Sequence, residues 1–178
     1  MQLNNKSGFS VPESFLIEPF YSEPKMINFF NNGALDEMLK IEPFYFDMLE
    51  LIKITVNEMP WNNIEHSVPL VISHWKKTKL QLQEKFAGKR FSVKNETISM
   101  HGISLFIICL FWTNERSVKS LEVKEMMIAE LKHKPINCEE RLLFIINKPS
   151  LYHSFIQLDQ MFKELEKIFY KTLAIKRL

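Results

Sequence analysis

Cys138 follows Asn137 at the head of the run Asn137-Cys138-Glu139-Glu140-Arg141, and Tyr152 and His153 come shortly after it. A thiol at a helix N-terminus gains thiolate character, and an imidazole within reach would make it a nucleophile. Glu139 and Glu140 oppose that effect, so the preferred reading is a small, half-buried residue in a capping turn. Arg141 on an apolar helix face needs an acceptor for its fork. With Glu139, Tyr152 and His153 it forms either a clamp that docks the last two helices or a shallow polar pocket, and the clamp is preferred. Glu139 and Glu140 point about 100° apart on a helix, which is poor geometry for paired-carboxylate catalysis. His133, Cys138 and His153 are the one trio that suits a metal, but HExxH and CxxC are absent. Surface or capped histidines are the default, and no catalytic residue, metal or cofactor is assigned. The phosphate-cradling patterns GxxxxGK[ST] and GxGxxG are also missing.

A second chemistry lies in "KKTKLQLQEKFAGKRFSVK", Lys76–Lys94, which has seven basic residues and one acid, Glu84. Lys76, Lys77, Lys79, Lys85, Lys89 and Arg90, with Phe91 for stacking, suit a nucleic-acid backbone. Lysines are point charges that meet phosphates without reading base edges. The blander reading is a solvated helix face attracted to the acidic N-terminal third. Residues 1–66 carry four Lys/Arg against ten Asp/Glu, and residues 67–178 carry nineteen against eleven. The net charge of +2 favours the blander reading.

These groups need elements to hold them. A chain of 178 residues, 46% hydrophobic, makes one domain with its own core. Four glycines are few for an all-β chain. Two cysteines without CxxC spacing read as reduced thiols in a cytoplasmic protein. The N-terminus shows no apolar leader pattern. "ISLFIICLFW", Ile103–Trp112, is ten residues long, and a membrane span takes about 20. It reads as the central helix of a core, with no membrane partner.

The pentapeptide IEPFY occurs at Ile17–Tyr21 and at Ile41–Tyr45. At the second copy Pro43 opens a helix through "PFYFDMLELIKITV", with Asp47, Glu50, Lys53 and Asn57 on a narrow polar stripe. At the first copy Pro24 follows at once, so Ser22 is expected to cap a short helix ending at Asn31–Gly33. The flanks differ, so the two copies are not a stacked repeat. Ser67 and Pro69 start a helix on which Val71, Trp75, Thr78, Leu82 and Phe86 share one face, and Gly88 ends it. Asn95 caps the core helix, which runs to about Thr113. A further helix is expected over about Leu121–Lys132. Asn137 and Glu140 make an N-x-x-E variant of the capping box. Leu151, Phe155, Leu158, Phe162, Leu165 and Phe169 alternate spacings of 4 and 3 along a final helix. Met161, Ile168 and Ile175 widen that stripe, and Asp159 pairs with Lys163 on the outer face. No strand alternation stands out. The expectation is a single all-α domain over residues 1–178, a helical bundle of five to seven helices with a buried central helix and a long C-terminal helix. Residues 1–12 and Glu115–Ser120 are expected to be the loosest parts.

Three stretches, "MPWNNIEHSVPLVISHWKKT", "LFIICLFWTN" and "KPINCEERLLFIINKPSLYHSFIQLDQMFKELEKIF", resemble the YpoC-like proteins of Bacillus and related bacteria. The resemblance runs from about Glu42 to the C-terminus, and its "KPINCEERL…YHSFIQL" portion is the most specific. It implies no assigned activity or catalytic residue. It also implies a gene neighbourhood of DNA-repair and replication genes, including a base-excision glycosylase, which is an association only. The first functional expectation is therefore a non-enzymatic cytoplasmic adaptor that binds a protein partner. The alternative is a weak, sequence-indifferent nucleic-acid module linked to repair or replication. The third is an enzyme using the Cys138 and His153 region. A monomer is preferred, with a homodimer through the C-terminal helix as the alternative.

Overall fold

The computed structural model describes residues 8–30, 34–54, 56–88 and 93–176, and of residues 93–95 the backbone alone. In chain order the elements are β1 (Gly8–Ser10), β2 (Met26–Asn28), α1 (Leu35–Ile41), α2 (Tyr45–Leu51), α3 (Ile64–Ala87), α4 (Val93–Thr113), α5 (Cys138–Asn147) and α6 (Tyr152–Lys176). Short 3₁₀ turns lie at Glu13–Phe15, Pro60–Asn62 and Ile128–Glu130. The described residues form an all-α bundle with six α-helices, a buried central helix and a long C-terminal one.

Every residue from Ile103 to Trp112 in α4 is buried. By length and composition Glu96–Thr113 would serve as a membrane span, yet most of it is enclosed within the protein by α3, α5 and α6. The three longest helices close on Gly102, where a Cβ would lie 2.8 Å from the Trp75 ring and 3.4 Å from Leu158. That approach lets Trp75 stack flat on Phe162, with centroids 4.5 Å apart and planes 6° from parallel. Phe106 meets the same Phe162 ring edge-on at 5.2 Å. Along α3 the predicted face holds for Val71, Trp75, Thr78 and Leu82, which are buried, while Phe86 at its end is half-buried. The helix starts earlier than expected, at Ile64. Ser67 instead donates its hydroxyl to the Pro60 carbonyl at 2.7 Å, and Pro69 sits inside the helix. In α6, Phe155, Leu158, Met161, Phe162, Leu165 and Phe169 are buried, but Leu151 just before the helix and Ile175 at its end are exposed. The stripe overshoots, at both ends, the body it packs on.

The N-terminal lobe differs most from expectation. Residues 22–28 hold β2 and no helix, because β2 pairs antiparallel with β1 through Phe9 and Ile27. Val11 N–H extends the pairing to the Lys25 carbonyl at 2.9 Å. Strands of three residues are too short to show alternation. Phe9 and Val11 are buried, so residues 8–11 are a fixed part of the fold and not a loose arm. The end of the expected helix, Asn31–Gly33, lies outside the described residues. The two IEPFY copies also differ from each other, one being a turn with a cis Glu18–Pro19 peptide and the other leading into α2. They meet in space. Phe20 and Phe44 pack edge-to-face at 6.0 Å, and the Tyr21 hydroxyl donates to Glu42.

Two expected helices and two expected caps differ in the structure. α2 stops at Leu51, because Lys53 turns left-handed with φ 60° and Ile54 N–H returns to the Leu49 carbonyl at 2.9 Å. Residues 121–132 form turns and one 3₁₀ turn. Leu121 N–H is tied to the Ser14 carbonyl at 2.9 Å, and Met127 is left-handed with φ 52°, which breaks any continuous helix. Asn137 stands at the N-cap of α5, but with φ 51° its side chain makes no capping bond. Asn95 falls inside the first turn of α4 and not at its cap.

Candidate functional site

The site is built on the buried face of α2. Asp47 sits on that face fully enclosed, although periodicity placed it on a polar stripe. Its Oδ1 accepts the Trp112 indole N–H at 3.3 Å and the Val118 backbone N–H at 2.7 Å. Its Oδ2 has no hydrogen-bond partner among the described residues. Burial raises the Asp47 carboxyl to about 7, against the opposing pull of the two N–H donors. One turn on, Glu50 accepts the Ser117 hydroxyl and the Lys119 ammonium. Burial alone would raise Glu50, but those two donors hold it below the usual carboxylate range.

These bonds fix the chain after α4. Ser117, Val118 and Ser120 are buried, so Glu115–Ser120 is pinned and not loose as expected. Asn114 fixes the same region from the other side. Its amide donates to the Leu110 and His133 carbonyls, each at 2.8 Å, and its oxygen accepts His133 N–H at 2.9 Å.

The pinned segment walls a hollow of about 400 Å³. Trp61, Phe111, Met126 and Met127 give it an apolar lining. Glu50, Glu115, Glu125 and Glu130 line it against Arg116 and Lys119. Lys119 is taken by Glu50, and Glu115 is taken by Lys176 from outside the hollow. Glu125 accepts the Ser120 hydroxyl at 2.8 Å. Among the described residues neither Glu125 nor Glu130 has an ion-pair partner. Met127, whose backbone is left-handed, is 55% exposed.

The residues singled out by sequence lie elsewhere. Cys138 is buried at the start of α5, and burial pushes its thiol up to about 12, beyond the help of Arg141 and Lys134. His153 and Tyr152 are exposed, and Tyr152 packs edge-on against Phe86 at 5.4 Å. Among the described residues no three His, Cys, Asp or Glu side chains come together as a metal site. Arg141 bonds Gln157 at 2.9 Å and Glu164 at 3.0 Å, both on α6, and the Ile136 carbonyl at 3.2 Å. It joins α5 to α6 through Glu164, not Glu139. Glu139 is half-buried and Glu140 exposed.

The basic run is divided. Lys76 pairs with Glu166 and Lys79 with Asp159, each at 2.8 Å. Their partners are on α6, not in the acidic N-terminal third as expected. That third instead holds His74, through Asp36 at 2.8 Å. Lys77 is exposed and Lys85 half-buried. Lys89, Arg90 and Phe91 lie outside the described residues.

Asp47, Trp61 and Arg116 were missed from sequence. The available signal was an aspartate embedded in "PFYFDMLEL", where apolar neighbours leave little room for a solvated face.

A family model described as YpoC-like protein matches residues 65–177. A protein of Bacillus subtilis (strain 168) described as "Uncharacterized protein YpoC" is 34% identical over 147 residues, which cover 83% of this chain and 87% of that one. No solved structure matches the chain.

Proposed function

The chain belongs to the YpoC-like family, and from that premise we propose that it works as a non-enzymatic cytoplasmic adaptor that docks a protein partner in the hollow after α4. The occupant is a partner segment presenting a lysine or arginine beside an apolar side chain. The observation that carries this reading is the hollow's composition. Trp61, Phe111, Met126 and Met127 offer apolar area, and Glu125 and Glu130 offer carboxylates without cationic partners among the described residues. Apolar anchors in a fixed pocket supply affinity, and charge at the edge supplies selection. The wall is pre-ordered by Asp47, Glu50 and Asn114, which lowers the entropy lost on docking.

A photo-reactive residue at Met127, introduced in the native host, tests this. The expected result is a discrete cross-linked protein, absent when the probe is moved to the exposed Gln81 and lost in a Glu130→Arg background. Equal cross-linking from both positions rejects the hollow as the docking surface. The nucleic-acid reading retains Lys77 and Lys85, which make no ion pair among the described residues, while Lys76 and Lys79 are engaged by carboxylates of α6.

A further inference from the structure

We propose that a second hollow, between the C-terminal ends of α4 and α6, is a binding site for a phosphate group held by Arg116, Lys132 and His133. It needs no protein partner, although it shares Glu115, Arg116 and Glu130 with the first hollow.

The hollow has a volume of about 230 Å³, which accommodates a phosphoryl dianion with some of its water. Three cations line it, Arg116, Lys132 and Lys176, against two carboxylates, Glu115 and Glu130. Lys176 already holds Glu115. Arg116 and Lys132 have no ion pair among the described residues. A guanidinium fork beside an ammonium group matches the oxygens of a phosphate.

Burial, then Lys132 and Lys176, hold His133 below its ordinary value, and Glu115 does not offset them. A bound dianion reverses that balance and favours the imidazolium, which adds a charged donor.

The walls are fixed in advance. Asn114 bonds both backbone groups of His133, and His133 Nδ1 lies 3.3 Å from the Thr172 hydroxyl. Thr113, also in the wall, is 3% exposed.

Imidazole NMR of His133 across a pH titration tests the site. Inorganic phosphate and phenyl phosphate are each compared with chloride at equal ionic strength. The expected result is an upward move of the His133 midpoint with at least one of the two ligands. Arg116→Gln and Lys132→Gln each weaken binding by about tenfold or more, the loss of one charged hydrogen bond. Both side chains are exposed, so the backbone amide spectrum away from the hollow stays unchanged. Tighter binding of phenyl phosphate identifies a phosphomonoester whose body reaches past Arg116 towards Phe111. Equal or weaker binding of phenyl phosphate identifies free phosphate. A His133 midpoint unmoved by either ligand overturns the site. So does a shift that survives both substitutions together.

Discussion

Trp112 donates its indole N–H to Oδ1 of Asp47 at 3.3 Å, across 65 residues of sequence. The same oxygen accepts Val118 N–H at 2.7 Å. One carboxyl oxygen thus ties α2 to α4 and to the loop beyond it. The other oxygen has no hydrogen-bond partner among the described residues. A charged carboxylate in this position is desolvated without full compensation. It is nonetheless the anchor for the segment that walls the larger hollow, so a strained electrostatic choice in the core sets the shape of the surface.

That choice has a pH signature. Burial raises Asp47 from 3.8 to about 7. The folded protein therefore holds this proton more tightly than the unfolded chain. The stability this group contributes is complete below 3.8 and is lost as pH rises through about 7. The loss is on the order of 4 kcal/mol, at about 1.4 kcal/mol per unit. Asp47→Asn keeps an acceptor for Trp112 and Val118 and carries no charge. It is expected to flatten stability across this window and to exceed the native protein above pH 7. Urea unfolding at about pH 5 and about pH 8 checks this. A variant with unchanged pH dependence would contradict the assignment.

The bundle was legible in the sequence where periodicity was long. The α3 face through Trp75 and Leu82 and the α6 seam through Phe162 and Leu165 each repeat over several turns, and both are buried as read. Asp47 was misplaced because a helix of seven residues has too little length for its stripe to show which side faces water. The β1–β2 pair was invisible for the same reason. The hollows depend on bonds between residues far apart in sequence, such as Ser117 to Glu50 and Asn114 to His133. No local pattern records those bonds. Arg141 was found from its neighbours, but its partner Glu164 is one helix away.

Cys138 is expected to be inert in the folded protein. It is 2% exposed, and burial pushes its thiol up to about 12, which leaves almost no thiolate at neutral pH. Cys109 is buried as well. Titration with a chromogenic disulfide reagent should show no fast thiol in native buffer and both thiols in denaturant. A fast-reacting Cys138, slowed by His153→Ala, would revive the nucleophile reading.

Leu165 separates a self-contained α6 from a dimer zipper. Its side chain is fully buried within its own chain, beside Phe162 and Phe169. Leu165→Glu places a charge in that core and is expected to unfold the protein, at roughly 4 kcal/mol or more. The native protein should scatter light as a monomer over a concentration series. A native dimer that becomes a folded monomer on Leu165→Glu would assign the seam to a second copy.

The lysines of α3 are not equivalent, because α6 engages Lys76 and Lys79. Reversing Lys76, Lys77 and Lys79 together looks from sequence like a change to a solvated face. Lys79, however, reaches Asp159 at 2.8 Å, and Asp159 also holds Lys163 at 2.8 Å. Both side chains of the Lys79–Asp159 pair are mostly covered, at 24% and 13% exposure. Lys79→Glu would set two carboxylates against each other there and is expected to lower stability by about 1–3 kcal/mol. Lys77 is exposed and makes no ion pair among the described residues, so Lys77→Glu should leave stability within about 0.5 kcal/mol of native. Lys77 and half-buried Lys85 are thus the described lysines of the run that remain for a phosphate backbone. With roughly two phosphates neutralised, the log–log salt slope on duplex DNA would be near −1.8. Electrophoretic shifts of Lys77→Glu/Lys85→Glu against the native protein at low salt decide the matter. A native shift abolished in the double variant, with unfolding unchanged, would favour the nucleic-acid module. The expected result is little or no native shift at micromolar protein, because Lys76 and Lys79 are already neutralised by α6.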